Sequence, residues 1–227
     1  MKKILTPIRF ALSLAWIFCI QSLQGQDTIL LKNPSFEDIP HRGSLGGPGI
    51  KMWNDCGSNQ FPRESPPDIH PVVENGWNVS MQPQEGSTYL GLVVRENGSW
   101  ESVSQQLSLP LLAGRCYSLT AMMTQSGNNK IYTPAKVKKG AHTVENISTP
   151  AILLIWGGRE DCEKLEILTE SSEITNHEWK PYELILSPHG DYTHITFEVF
   201  YSKSKEEHYN GHVLIDNLSP IIEVDCK

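Results

Sequence analysis

Apolar and polar residues alternate with period two along much of the chain. In His194–Tyr201 (HITFEVFY), Ile195, Phe197, Val199 and Tyr201 share one face, and His194, Thr196 and Glu198 share the other. Cys116–Met123 places Tyr117, Leu119, Ala121 and Met123 on one face in the same way. Strands are also expected at Thr28–Lys32, Thr88–Val94, Trp100–Leu107, Ala151–Trp156, Lys180–Leu186 and His212–Leu218. Turn residues separate these runs, as in Glu96-Asn97-Gly98, Ala113-Gly114, Gly157-Gly158, His189-Gly190-Asp191 and Asn210-Gly211. This spacing predicts an all-β chain folded as a two-sheet antiparallel sandwich. Leu165–Thr169 is expected to form one helical turn. Pro40–Glu74, rich in Gly and Pro, reads as a long structured loop, and Ser126–Thr149 as a polar insertion between strands.

Composition narrows the class. Of 227 residues, 39% are hydrophobic and 20% charged, a globular balance. The chain has 19 Lys and Arg against 26 Asp and Glu, net −7, and three of the bases (Lys2, Lys3, Arg9) precede residue 26. A nucleic-acid partner is excluded because no basic footprint is present. The local cluster of Lys130, Lys136, Lys138 and Lys139 reads as a solvated loop. Residues 1–25 have the layout of a signal peptide: a basic start, an apolar run from Leu12 to Ile20, and a small residue at Gly25. That run is short for a membrane span, and no second one follows. The expectation is an exported protein, in the periplasm, at the cell surface or outside the cell, with one domain over residues 26–227. Cys56, Cys116, Cys162 and Cys226 fit two disulfides in such a compartment, and sequence alone leaves their pairing open.

Three segments carry a family resemblance. They are Asn33-Pro34-Ser35-Phe36-Glu37-Asp38, Glu85-Gly86-Ser87-Thr88-Tyr89-Leu90-Gly91-Leu92 and Val213-Leu214-Ile215-Asp216-Asn217-Leu218. Together they resemble the jelly-roll carbohydrate-binding modules of the galactose-binding-like superfamily. The chain is also similar to exported bacterial jelly-roll proteins, including cell-envelope and gliding-associated ones. That likeness rests on Trp53-Asn54-Asp55-Cys56, Ser65-Pro66-Pro67-Asp68-Ile69-His70, Leu112-Ala113-Gly114-Arg115-Cys116-Tyr117 and Ile155-Trp156-Gly157-Gly158. The resemblance implies a jelly roll with a structural Ca²⁺. Glu37 and Asp216 would supply carboxylates, Ser35 a main-chain carbonyl, and Glu85 or a neighbouring carbonyl would complete the set. The alternative is that Glu37 and Asp216 hydrogen-bond backbone ends of adjacent strands. Pro34 stands where the family has Gly. The jelly-roll topology also implies Cys116–Cys226, with Cys56–Cys162 as the remainder.

Catalytic motifs are absent from the sequence. There is no G-x-S-x-G, and His177-Glu178 is followed by Pro181 where a zinc protease needs a second His. Glu166–Glu173 does not match the paired acids of a jelly-roll glucanase. The expectation is therefore a chain that is not an enzyme. Aromatic side chains are the better lead, since they stack on sugar C–H faces. Trp77 and Trp100 are the primary ligand candidates, with Arg95 as a hydrogen-bond donor and Tyr132 and Tyr209 in support. Trp53, Trp156 and Trp179 are expected to pack. The expected function is binding of a glycan or polysaccharide. The alternatives are a structural or adhesive envelope component with a protein partner and, behind it, a glycoside hydrolase.

Overall fold

The computed structural model describes residues 28–71, 79, 81–126, 130–132, 144–146 and 149–226. The leader, Trp77 and most of the 126–149 insertion lie outside the described residues. In chain order the strands are β1 (Thr28–Ile29), β2 (Asn54–Asp55), β3 (Asp68–His70), β4 (Tyr89–Val94), β5 (Ser102–Leu111), β6 (Cys116–Gln125), β7 (Lys130–Tyr132), β8 (Val144–Asn146), β9 (Ala151–Gly158), β10 (Glu166–Glu170), β11 (Lys180–Leu186), β12 (Tyr192–Tyr201), β13 (Gly211–Asp216) and β14 (Ile221–Val224). A single helical turn, α1 (Gly57–Gln60), follows β2.

Seven strands form one sheet, in the order β1-β14-β6-β13-β4-β3, with β11 also paired to β6. Five form the other, in the order β10-β9-β12-β5-β2, while β7 and β8 pair separately. Strand pairings are antiparallel, as in β12 with β9 and β13 with β4. The alternating positions explain the layers. Ile195, Phe197, Val199 and Tyr201 of β12 face inward with Leu90, Leu92, Leu119, Met123, Leu153, Ile155, Val213 and Ile215 in one shared core. His194, Thr196 and Glu198 point to the opposite face, as period two requires. The sandwich is the all-β, two-sheet jelly-roll architecture that the strand pattern and the resemblance implied.

Three features depart from the expected layout. Leu165–Thr169 is not a helical turn; Glu166–Glu170 pairs with β9 as an edge strand, with a bulge between Ile167 and Thr169. The open edge of β9 supplies partners that a lone helical turn lacks. The Pro40–Glu74 loop contains β2, α1 and β3, and β14 extends the C-terminal end. Each added strand is short, so period two has too few residues to show.

Two disulfides are formed. Cys56 joins Cys162, 106 residues away, and Cys116 joins Cys226, 110 residues away. Cross-links closing loops of that length contribute roughly 2–5 kcal/mol each. The second ties the start of β6 to the chain just beyond β14, consistent with Val224 lying opposite Cys116. Among the described residues, no helix is long and apolar enough to cross a membrane.

Candidate functional site on the five-stranded sheet

The outward face of the five-stranded sheet carries polar and aromatic side chains in register. One row crosses the sheet as Ile167, Trp156, Thr196, Ser104 and Asn54, each beside the next on a paired strand. The row on one side runs Gly158, His194, Gln106, and the row on the other runs Leu154, Glu198, Ser102. These positions point outward because their neighbours Ile155, Phe197 and Val103 fill the core.

A loop from β9 to β10 roofs the middle of this face. Asp161 Oδ1 stands 3.4 Å from His194 Nε2, and Lys164 Nζ pairs with Glu198 Oε2. His194 and Glu198 flank Thr196 on the same face of β12, so the loop passes over Thr196. Cys162, between those two contacts, is bonded to Cys56, and its carbonyl accepts a hydrogen bond from Gln60 Nε2 at 3.2 Å. The roof is thus tied down beyond β5. Beneath it, Ser104 and Thr196 are 0% exposed. Ser104 Oγ and Thr196 Oγ1 have no hydrogen-bond partner among the described residues. A buried hydroxyl left unpaired costs about 1–3 kcal/mol, so the pair marks a place for partners that the described residues do not supply.

One end of the face is closed by charge. Lys164 Nζ also pairs with Glu64 Oε1 at 2.5 Å, and Ser102 Oγ donates to Glu64 Oε2. Trp100 Nε1 and Trp156 Nε1 donate to the two oxygens of Glu198, at 3.0 and 3.2 Å. Burial pushes the Glu198 carboxyl above its ordinary range, and the Lys164 ammonium pulls it back. The other end opens into a groove of about 310 Å³ lined by Lys32, Met52, Asn54, Gln106 and Asp161, among others. Amides and a carboxylate at the mouth of such a groove suit a ligand rich in hydroxyls.

The residues singled out from the sequence divide. Trp100 does lie on this face, but its indole is engaged: edge-to-face on Phe200 at 5.1 Å, under the Arg63 guanidinium at 5.5 Å, and bonded to Glu198. It closes the site and offers no free stacking platform. Arg95 is occupied too, with its NH1 on Ser65 Oγ and its NH2 on Glu101, both at 2.5 Å. Tyr209 donates to the Pro150 carbonyl at 2.7 Å and accepts from Ser202 N–H, packing against the core. Tyr132 lies on the short β7–β8 pair. Trp77 lies outside the described residues. Trp156, expected to pack in the core, instead sits half-buried on the outer face, because the strand places Ile155 inward and Trp156 outward. Trp53 packs inward against Phe36 and Phe197, and Trp179 packs edge-on to Tyr89. The signal that sequence reading passed over was the outward set of β12, His194, Thr196 and Glu198.

The four proposed calcium ligands come together elsewhere, around the turn before β4. Glu37 Oε1 and Oε2 accept the Ser87 N–H at 2.9 and 3.1 Å, and Oε1 takes the Thr88 N–H at 3.3 Å. Asp216 Oδ2 accepts N–H bonds from Gln84 and Glu85 at 2.8 and 3.0 Å, and its Oδ1 accepts that of Asn217. Ser35 Oγ donates to Glu85 Oε2 at 2.5 Å. Gly86, at φ 62°, lets Glu37 approach so closely that a Cβ there would meet Oε1 at 2.0 Å. These carboxylates tie the turn to two strand ends, as in the alternative to calcium. Among the described residues, no three His, Cys, Asp or Glu side chains are set to hold a metal ion as they stand. Melting curves in calcium and in chelator test the metal: a higher melting temperature with calcium would place an ion among these carboxylates, and coincident curves would remove it.

Comparison with known proteins adds to this picture. No family model matches the chain, and no curated protein matches it. Among solved structures it is similar to a cyclase from Fischerella sp. TAU, at 11% identity and TM-score 0.52, over 89% of this chain and 99% of that one. A Stig cyclase from Fischerella sp. TAU in complex with (3Z)-3-(1-methyl-2-pyrrolidinylidene)-3H-indole matches at 12% identity and TM-score 0.50, over 89% of this chain and 100% of that one. The xylan-binding domain CBM22-1 of Paenibacillus barcinonensis Xyn10C is similar at 11% identity and TM-score 0.40, over 82% of this chain and 94% of that one. The cyclases correct the expectation of a chain that is not an enzyme: the sandwich shared over 89% of its length belongs to a catalytic protein. At such identities the likeness is one of fold.

Proposed function

We propose that the chain is an exported carbohydrate-binding domain whose site is the polar groove on the five-stranded sheet and the roofed face beside it. The observation that carries this reading is the pair of adjacent, buried, unpartnered hydroxyls of Ser104 and Thr196, one row in from the polar groove. A sugar offers several hydroxyls, each donor and acceptor at once. Gln106, Asn54 and Asp161 would hold the part of the ligand nearer solvent, and Trp156 would present its ring edge beside the hydroxyl pair. Two disulfides fit an oxidising compartment.

The test is a screen of the protein against a broad glycan array, followed by titration with the best binder. Thr196→Val keeps shape and removes the hydroxyl. It is expected to weaken binding about tenfold, while the melting temperature stays at or above that of the parent. Equal affinity in Thr196→Val, or a blank array with folded protein, would remove this site. The same ligands are followed for turnover, because the fold is one that carries catalysis.

A further inference from the structure

We infer that Met52 is the apolar contact of the groove beside β2, set there to lie against the C–H side of a bound sugar ring, an inference that rests on the carbohydrate reading above. Asn54, Gln106 and Asp161, which line the same groove, offer hydrogen bonds. Trp53 borders it too, but its indole packs inward on Phe36 and Phe197. A sugar carries hydroxyls on its rim and C–H groups on its faces, so a polar wall alone meets only one side of its chemistry.

Met52 stands where the backbone disfavours it. Trp53 N–H donates to the Ile50 carbonyl at 3.0 Å and closes a four-residue turn over Ile50–Trp53. Met52 is third in that turn, at φ 67°. Gly or Asn is the usual occupant of such a position, because a side chain at positive φ crowds its own backbone. The core gains little in exchange. Met52 is 59% exposed, whereas Ile50 and Trp53 of the same turn are each 5% exposed.

The turn is held firmly enough to keep that conformation. Gln105 is buried, and its Nε2 donates to the carbonyls of Met52 at 2.8 Å and Lys32 at 2.9 Å, while its Oε1 accepts the Lys32 N–H at 2.7 Å. Asn33 Nδ2 donates to the Lys51 carbonyl at 2.9 Å, and Trp53 Nε1 to the Asn33 carbonyl at 3.0 Å. An unfavourable backbone conformation persists where its surroundings over-determine it, and such positions cluster at binding sites. A fixed backbone, an exposed apolar side chain and a polar groove meet at this one residue. The thioether chain is unbranched and adaptable, so it can follow the edge of a ring that the amides of Asn54 and Gln106 hold by its hydroxyls.

The experiment titrates trisaccharides of glucose, xylose, mannose and galactose into the parent protein and into Met52→Leu, Met52→Gln and Met52→Gly, with a melting curve for each protein. Leu keeps the apolar contact and is expected to bind within about twofold of the parent. Gln keeps the length, loses the apolar end and is expected to bind about five- to tenfold more weakly. Gly is expected to bind as weakly as Gln, yet to melt at the parent temperature or up to about 3 °C above it, since the backbone strain goes with the side chain. Equal affinity in all four proteins, or a Leu variant as weak as Gln, would overturn the role of Met52 and leave carbohydrate binding standing. So would a Gly variant that melts several degrees lower, because Met52 would then serve the fold. Absence of binding by the parent to every trisaccharide would overturn both.

Discussion

Lys164→Met is expected to destabilise the protein by about 3 kcal/mol or more. The Lys164 side chain is 14% exposed and pairs with two carboxylates, Glu64 and Glu198, that are 1% and 3% exposed. Removing the cation leaves two like charges facing each other in a place water scarcely reaches. Charge-neutral replacement of all three, Glu64→Gln with Lys164→Met and Glu198→Gln, is expected to recover most of the loss, because the desolvation penalty goes with the charges. Urea denaturation of parent, single and triple variants measures both effects. A loss under about 1 kcal/mol in Lys164→Met would class the network with exposed surface pairs. The near-ultraviolet spectrum reports the site directly, since Trp100 and Trp156 both donate to Glu198.

The second large effect concerns acid. On the outer face of the seven-stranded sheet, His70 of β3 lies against Tyr89 of β4 at 5.6 Å and His212 of β13 at 5.3 Å. Both imidazoles press on Gly91, where a Cβ would meet their Nε2 atoms at 2.5 and 2.6 Å. Neither ring nitrogen of His70 has a hydrogen-bond partner among the described residues. Burial lowers His70 from 6.5 to about 3, and His212 is also held well below 6.5, by burial first and then by His70 and Arg95. The unfolded chain therefore binds protons on these rings across a window in which the folded chain does not, and their contribution to stability falls as pH drops through it. Two acids of the same cluster act in the opposite sense. Burial raises Asp68 to about 6 and Glu101 to about 8, and Arg95 beside Glu101 lowers the latter in part. The folded chain keeps those protons longer, so their contribution grows as pH falls. The two trends offset each other in the parent protein, and removing His70 exposes the acids. The ratio of unfolding constants, parent over His70→Phe, is expected to grow up to tenfold per pH unit between about 6.5 and about 3. Parallel stability profiles for parent and variant would show that His70 titrates normally in the fold.

Period-two alternation and turn residues were enough to place most long strands and to assign the all-β sandwich, because the inward set of each strand has to be apolar wherever a sheet is packed on one face. The opening Asn33–Asp38 motif and the closing Asp216-Asn217-Leu218 also meet as the resemblance implied. Leu218 N–H donates to the Pro34 carbonyl at 3.0 Å, and Phe36 is fully buried in the core. These features are local in sequence or follow from one dominant requirement, burial of apolar surface.

The site was only half legible. Trp100, a candidate from the sequence, lies on the outer face, but its indole is engaged by Glu198 and Phe200, 98 and 100 positions away. Arg95 and Tyr209 were lost to partners in the same way. Trp156 was assigned to the core because its strand is apolar throughout, and nothing local tells which of Ile155 and Trp156 faces inward. The roof over Thr196 depends on Asp161, Cys162 and Lys164 meeting His194, Cys56 and Glu64, contacts between segments that carry no trace of one another in sequence. Alternation alone determined which residues turn away from the core. Only the tertiary structure decided which of those outward groups are satisfied by distant partners and which, like Ser104 and Thr196, are buried and left wanting one.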